Sequence, residues 1–499
     1  MNNMKTNIAI ISSILVLVCA CGEPQSSEGT FTNPVMAGDY PDPSIVRDGN
    51  DYYLTNSSFN YNPGLIVYHS TDLVHWEPIS CALSTYVGSV YAPDICKEDG
   101  KFRIYTTVPG RGHFVVEAES PYGPWSEPMF ICRSGIDPCF VVGDDGSRWL
   151  YESGGRRIPL SEDGKSAIGD PEKIYDGWEY PSDWITECMC LEGPKVRKVG
   201  DWWYYVCAEG GTAGPATSHM VVMARSKSID GPWENSPYNP VVHTQSAEEK
   251  WWSRGHGSLI DTPDGRWYVI YHAYEKGFNG IGRQTLLEPL ELTEDGWFKP
   301  VEGLDVAGPI SLPLPENPVD LKAHLAEFRI GFDWKFYKEY DTERFSVADG
   351  AITIKGKGFC PADSAPLLFI SGDHAFEFSM EIEKEPGAIP GLVMFYNHMY
   401  YAGIALGEYG TVRYRRDGGG LATRLENANH LWLKLIKDEN GLVTSQYSLD
   451  GENWNQEGWG TDVSGYNHNT LSEFQALLPG IFVGGEGSAT FRNFKYEKR

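Results

Sequence analysis

Basic charge is scarce in this chain. Its 41 lysines and arginines stand against 68 aspartates and glutamates, a formal charge of −27. Nucleic acid and anionic membrane surfaces are themselves polyanions, so this balance excludes them as partners. A long helical period is missing between Asn33 and about Pro313, which argues against a helical core there. A disulfide framework is missing as well. Ten cysteines are present, but Cys81, Cys96, Cys132, Cys139, Cys188, Cys190, Cys207 and Cys360 show no paired spacing. Several sit inside apolar runs, which predicts buried free thiols. No cysteine and histidine spacing of the zinc-site kind occurs.

The N-terminus reads as a targeting segment. Lys5 supplies the positive end, and Ile8 to Val18 is an apolar stretch too short to span a bilayer comfortably. Val18-Cys19-Ala20-Cys21 resembles a bacterial lipobox in which Cys21 is lipidated. The expectation is a signal over residues 1–21, a polar tether over 22–32, and a protein held in the bacterial cell envelope, on the outer membrane, by its lipid anchor alone. The 499 residues exceed one ordinary core, so two domains are expected after the tether.

What the chain does have is repetition. Five stretches share one line: a short apolar run, a turn and an aromatic-rich run, the signature of a hairpin. They begin at Asp42-Pro43-Ser44, Ala92-Pro93-Asp94, Asp137-Pro138-Cys139, Glu192-Gly193-Pro194 and His256-Gly257-Ser258. Their spacing of about 45 to 65 residues suits propeller blades of four strands. A five-bladed β-propeller is therefore predicted over 33–313. Weaker echoes, around Trp76, Trp125 and Trp233, read as turns entering outer strands, with the indole packed between blades.

A Pro-rich stretch, Leu312 to Pro318, marks a boundary. From 319 to 499 alternating strands such as Phe376 to Ile382 and Leu431 to Ile436 recur between Gly-rich turns. The pattern predicts an antiparallel β-sandwich of jelly-roll type. No carboxylate line occurs there, and no chemistry is placed in it.

In a propeller, equivalent positions of the inner strands face one central channel, so Asp42, Asp137, Glu192 and His256 are predicted to converge. Paired carboxyl groups on opposite sides of a scissile bond are the machinery of glycoside hydrolysis. Asp42 lies between Pro41 and Pro43, which predicts an extended backbone suited to a base that positions one water. Glu192 has the longer reach of an acid, and Gly193 beside it leaves room for substrate. Asp137 would be a third negative group that raises the proton affinity of the acid. His256 would orient an acid or hold a metal through water. Arg283 would pair with an acid or grip a sugar hydroxyl. Phe59, Trp178, Trp184 and Trp252 lie in irregular stretches and are the aromatic candidates for a sugar platform.

These motifs resemble glycoside hydrolase family 43. Pro41-Asp42-Pro43-Ser44 is like the family's base motif, Ile136-Asp137-Pro138 like that of its pKa-modulating Asp, and Glu192-Gly193-Pro194 like that of its general acid. Gly255-His256-Gly257-Ser258 looks like the segment whose His lies near a central calcium, and Gly282-Arg283 like the family's late Arg. The C-terminal part looks like the concanavalin-like sandwich of β-xylosidase-type members. The resemblance implies an exo-acting, inverting enzyme that removes xylose or arabinofuranose from plant polysaccharide or oligosaccharide. It also implies a structural Ca2+ near the propeller axis. Cys139 and Lys195 depart from the family's usual residues and bear on which of the two sugars fits. Two rival readings are a retaining glycosidase of the invertase kind and a non-catalytic sugar-binding lipoprotein.

Overall fold

The computed structural model describes residues 29–416 and 418–499. The expected signal and the lipidation site at Cys21 lie outside the described residues. Apart from two short 3-10 turns, every described element is a strand.

Five antiparallel sheets follow one another along the chain. Blade 1 is Ser44–Asp48, Asp51–Thr55, Gly64–Ser70 and Glu77–Leu83. Blade 2 is Asp94–Glu98, Lys101–Val108, Gly112–Ala118 and Met129–Cys132. Blade 3 is Cys139–Val142, Arg148–Glu152, Arg156–Leu160 and Glu172–Lys173. Blade 4 is Glu192–Val199, Trp202–Glu209, Met220–Ser226 and Glu234–Asn235, with Val242–His243 added beside its third strand. Blade 5 is Trp251–Asp261, Trp267–Glu275, Gln284–Leu292 and Phe298–Pro300. The first strand of each blade packs beside those of its two neighbours, and blade 5 returns to blade 1. This is the predicted five-bladed propeller.

The turns carry the local chemistry that starts each blade. Glu98 pairs with Lys101 across Asp99-Gly100, both with positive φ (50° and 77°). That is the primed turn that matches strand twist. Each blade is polar at its hairpin ends and apolar on both faces, because each face meets another blade. Five apolar clusters fill the five gaps. Tyr53, Val67, Ile95 and Ile104 lie between blades 1 and 2, and Tyr105, Phe140 and Leu150 between blades 2 and 3. Tyr151, Tyr205 and Cys207 lie between blades 3 and 4, Val206, Val221 and Tyr271 between blades 4 and 5, and Leu54, Ile270 and Leu287 between blades 5 and 1. Aromatic side chains stand in all five. Of the echo motifs, Trp125 reaches across a gap and donates from Nε1 to Ser80 of blade 1 at 3.1 Å.

The ring is closed by the segment that enters it. Thr30–Thr32 pairs with Pro309–Ser311, and Asn33 exchanges two hydrogen bonds with Leu287 (3.0 and 2.9 Å). The tether expected over 22–32 therefore ends before Thr30. Its last residues join the fold because Phe31 is apolar and buries itself between blades 5 and 1.

The C-terminal part forms an eight-stranded and a seven-stranded sheet around one core that includes Trp334, Phe378, Leu392 and Leu433. The alternation predicts this packing: along His430–Lys437, Leu431, Leu433 and Leu435 are buried while Trp432 and Lys434 are only partly covered. One strand of the larger sheet is lent by the propeller. Tyr61–Asn62 pairs with Trp334–Tyr337, so the two parts share a sheet.

The cysteine expectation needs one correction. Cys188 and Cys190 form a disulfide, with Cα atoms 5.3 Å apart. A left-handed residue at Cys190 (φ 39°) folds the chain back so that thiols two residues apart meet. The other described cysteines are free, and only Cys139 and Cys207 are fully buried.

Candidate functional site

In every blade the regular ladder begins, or resumes after an irregularity, at one equivalent residue: Ser44, Asp94, Cys139, Lys195 and Ser258. Two residues earlier stand Asp42, Ala92, Asp137, Gly193 and His256. Asp42, Asp137, Gly193 and His256 all have φ between 56° and 57°. The extended backbone expected at Asp42 is thus corrected to a left-handed one. For a non-glycine residue this conformation costs about 1–2 kcal/mol, and such residues cluster at functional sites. The left-handed step turns each side chain off the strand and into the channel.

Register also corrects the place of Glu192. The residue equivalent to Asp42 in blade 4 is Gly193, and Glu192 stands one position earlier. Gly193 does not make room for substrate. A Cβ there would lie 2.8 Å from the His256 ring, so the glycine admits the imidazole.

Asp42, Asp137, Glu192, His256, Arg283 and Phe59 line one small pocket of about 40 Å³, together with Tyr91, Thr212 and Phe474. Phe474 comes from the sandwich, on the loop 463–477. His468 Nδ1 of that loop meets the Tyr274 hydroxyl at 2.7 Å, and the Asn469 side chain donates to Ala213 O at 3.2 Å. Phe474 stacks on Phe59 (6.0 Å, 12°) and meets Tyr91 edge-on (5.5 Å). The guanidinium of Arg283 lies 5.4 and 5.6 Å from the Phe59 and Phe474 rings, within cation–π range. The sandwich, to which no chemistry was assigned from sequence, supplies a wall of the pocket.

Each carboxyl group has a different environment. Asp42 accepts from Arg283 Nη1 at 2.9 Å and from the Ser57 hydroxyl at 2.5 Å. Its backbone N–H donates to His272 Nδ1 at 3.1 Å, and His256 Nδ1 lies 3.5 Å from Oδ1. Burial alone would raise its proton affinity. Arg283 and the two imidazoles outweigh that and hold Asp42 well below the usual carboxylate range. Asp137 accepts from Gly193 N–H at 3.1 Å and Ser153 Oγ at 3.2 Å. Burial and the charge of Asp42 push it up to about 6. Glu192 has no short ion pair; its nearest base is His219, at 4.0 Å. Burial, then the charges of Asp137 and Asp42, raise Glu192 well above the ordinary range. Near neutral pH an ionised Asp42 and a largely ionised Asp137 thus share the pocket with a Glu192 that holds its proton. Arg283 Nη2 is buried without a hydrogen-bond partner and is free to receive an oxygen.

The expected calcium can be tested against the donor set. Glu192, His219 and His256 bring ligand atoms within 4.8 Å of one another. His256 Nε2 and both ring nitrogens of His219 are buried and unpartnered. Two nitrogens and one carboxylate do not fit direct calcium coordination, which takes 6–8 oxygens.

Three aromatic candidates stand elsewhere. Trp178 and Trp184 pack edge to face, and Trp184 stacks on His243 (4.4 Å, 2°). Trp252 donates to Ala247 O and Glu249 O (3.2 and 3.0 Å). None of the three lines the pocket. Sequence reasoning also passed over His272, Thr212, Tyr91 and Phe474. For His272 a signal existed: it is the one basic side chain inside the apolar and aromatic run Tyr268–Tyr274. Phe474 had none.

The family described as Glycosyl hydrolases family 43 matches residues 31–298. A xylan 1,3-β-xylosidase of a Vibrio species is 34% identical, with 94% of this chain and 99% of that protein covered. A non-reducing end α-L-arabinofuranosidase of Bacteroides ovatus is 30% identical, with 83% and 77% covered. The solved structure of a family 43 protein of Bacillus licheniformis superposes with a TM-score of 0.83 at 28% identity, covering 94% of this chain and all of that one.

Proposed function

Because the chain belongs to glycosyl hydrolase family 43, we propose that it removes single xylose or arabinofuranose units from plant polysaccharides or oligosaccharides with inversion at the anomeric carbon. It is an O-glycosyl hydrolase. One observation carries the assignment of roles: carboxyl groups from blades 1, 3 and 4 share a pocket and are driven to opposite protonation states. Asp42, kept ionised by Arg283, deprotonates a water. Glu192, kept protonated, gives its proton to the leaving oxygen. Asp137 maintains that proton by its charge and anchors the segment through Gly193 N–H. Arg283 offers its free Nη2 to a sugar hydroxyl. Phe59, Tyr91 and Phe474 form an apolar wall that limits the depth of the pocket, in keeping with an exo-acting enzyme.

A screen of nitrophenyl xylosides and arabinofuranosides, then arabinoxylan and arabinan, tests the reading. The first-formed anomer, followed by NMR, is expected to be inverted. A retained anomer would indicate carboxyl groups about 5 Å apart acting through a covalent intermediate. Saturable binding with no hydrolysis of any glycan would leave a sugar-binding protein instead.

The pH dependence has a definite sign. The base must be ionised, so activity is lost only as pH falls through the depressed pKa of Asp42. The acid must be protonated, so activity is lost as pH rises through the raised pKa of Glu192. Asp137→Asn removes a like charge beside Glu192. The basic limb of kcat/KM is then expected to move to lower pH, with kcat reduced by about 10²-fold. An unmoved basic limb would remove Asp137 from its role.

A calcium ion at His256 forms part of the same proposal, held through waters because the residues present do not suit direct ligation. An ion at a hundred times its Kd contributes about 2.7 kcal/mol. Chelation is therefore expected to lower Tm by roughly a few degrees. An unchanged melting curve in EDTA would remove the ion from the account.

A further inference from the structure

Blade 2 contributes no carboxyl group or imidazole to the pocket, where it carries Tyr91 and Ala92. Two residues on, it carries Asp94, which is 6% exposed. Asp94 Oδ1 accepts from Lys195 Nζ at 2.9 Å and lies 3.4 Å from the Ser44 hydroxyl, which donates to it. Asp94 Oδ2 accepts from Phe140 N–H at 2.9 Å. Lys195 Nζ also donates to Pro93 O at 2.8 Å. One carboxylate thus grips the inner strands of blades 1, 3 and 4.

The bond to Lys195 is unlike the others. Blades 1 and 3 neighbour blade 2, but blade 4 does not. The Asp94–Lys195 pair therefore passes over blade 3's place in the ring and crosses the channel. It can do so because the other residues of that layer are small: Ser44, Cys139 and Ser258. The layer lies directly under the pocket. Ser44 is two residues past Asp42, Phe140 three past Asp137, and Lys195 three past Glu192 and two past Gly193, the donor to Asp137. A buried ion pair is weak as a source of stability, and its best-attested use is to fix registry.

We propose that Asp94 and Lys195 are positioning residues, a strut across the propeller axis that sets where the Glu192-Gly193 segment stands against Asp137 and Asp42. This rests on the roles proposed above for those three carboxyl groups. Misplacing the acid hurts most where the leaving group needs its proton. A merely structural role would not separate substrates by leaving group.

The experiment compares kcat and KM on the better nitrophenyl glycoside and on the matching unactivated oligosaccharide. The variants are Lys195→Met and the double variant Asp94→Asn with Lys195→Met. The double variant leaves no buried charge unpaired and guards against a fold defect in the single one. For both, kcat on the oligosaccharide is expected to fall by about 10- to 100-fold, the scale of a misplaced catalytic group. On the nitrophenyl glycoside the fall is expected to stay under about 3-fold, with KM on both little changed. Equal losses on the two substrates, or no loss, overturn the strut. Glu192→Gln run beside them separates the failures. If it shows the leaving-group-dependent loss and the Lys195 variants do not, only the strut falls. If Glu192→Gln keeps full turnover, the acid assignment falls with it.

Discussion

Replacing Glu192 by Gln is expected to lower kcat on oligosaccharides by about 10²–10⁴-fold, the usual worth of a positioned proton donor, while leaving the fold at least as stable. The two halves of that expectation have one cause. Burial and the charges of Asp137 and Asp42 keep Glu192 protonated at neutral pH, so a neutral amide of the same shape replaces a group that is already neutral. Glu192 gives up no ion pair shorter than 4.0 Å. What disappears is the transferable proton. Nitrophenyl glycosides, whose leaving groups depart as stable anions, should lose far less than oligosaccharides. Steady-state kinetics on both classes with a thermal melt would check this. Wild-type turnover on oligosaccharides would end the assignment.

Asp42→Asn is expected to be at least as damaging to turnover and, unlike the first, costly to the fold. An inverting enzyme has no second group to activate the attacking water, so the loss should be about 10²–10⁴-fold or more and similar for activated and unactivated substrates. The stability cost follows from Arg283. The residue is 4% exposed and its Nη1 has Asp42 Oδ1 at 2.9 Å. An amide leaves that cation without its counter-ion, and breaking one partner of a buried pair costs about 3–5 kcal/mol. The contribution of Asp42 to stability is present above its unfolded pKa and is lost as pH falls through its depressed folded pKa. The stability difference between wild type and variant should therefore shrink in acid. Denaturant titrations at neutral and acid pH, with kinetics on both substrate classes, test this. A variant equal to wild type in stability would mean that Arg283 does not depend on Asp42. A loss confined to poor leaving groups would make Asp42 an acid rather than a base.

Legibility varied with the range of the interactions involved. Asp42 and Asp137 were readable because each opens a repeat whose hairpin is encoded locally, by a turn dipeptide and alternating residues. Glu192 was readable as a residue but misread by one position, since only strand pairing reveals that Gly193 is the equivalent of Asp42. The left-handed backbone at Asp42 overrode the flanking prolines, whose bias is local. Trp178, Trp184 and Trp252 were drawn to the site by irregular surroundings, yet packing partners and backbone carbonyls hold them elsewhere. The Cys188–Cys190 bridge escaped because a separation of two residues resembles no framework.

The sequence by itself determined the class of fold, the number of blades, the sandwich and the carboxylates, because strand period and turn chemistry are written within a few residues of one another. Only the tertiary structure decided which acid holds a proton, which aromatic forms a wall and what crosses the axis. Those properties come from groups far apart along the chain, such as Asp42 with Arg283 or Phe59 with Phe474. Burial and charge act through space, and nothing in the local pattern of the chain records them.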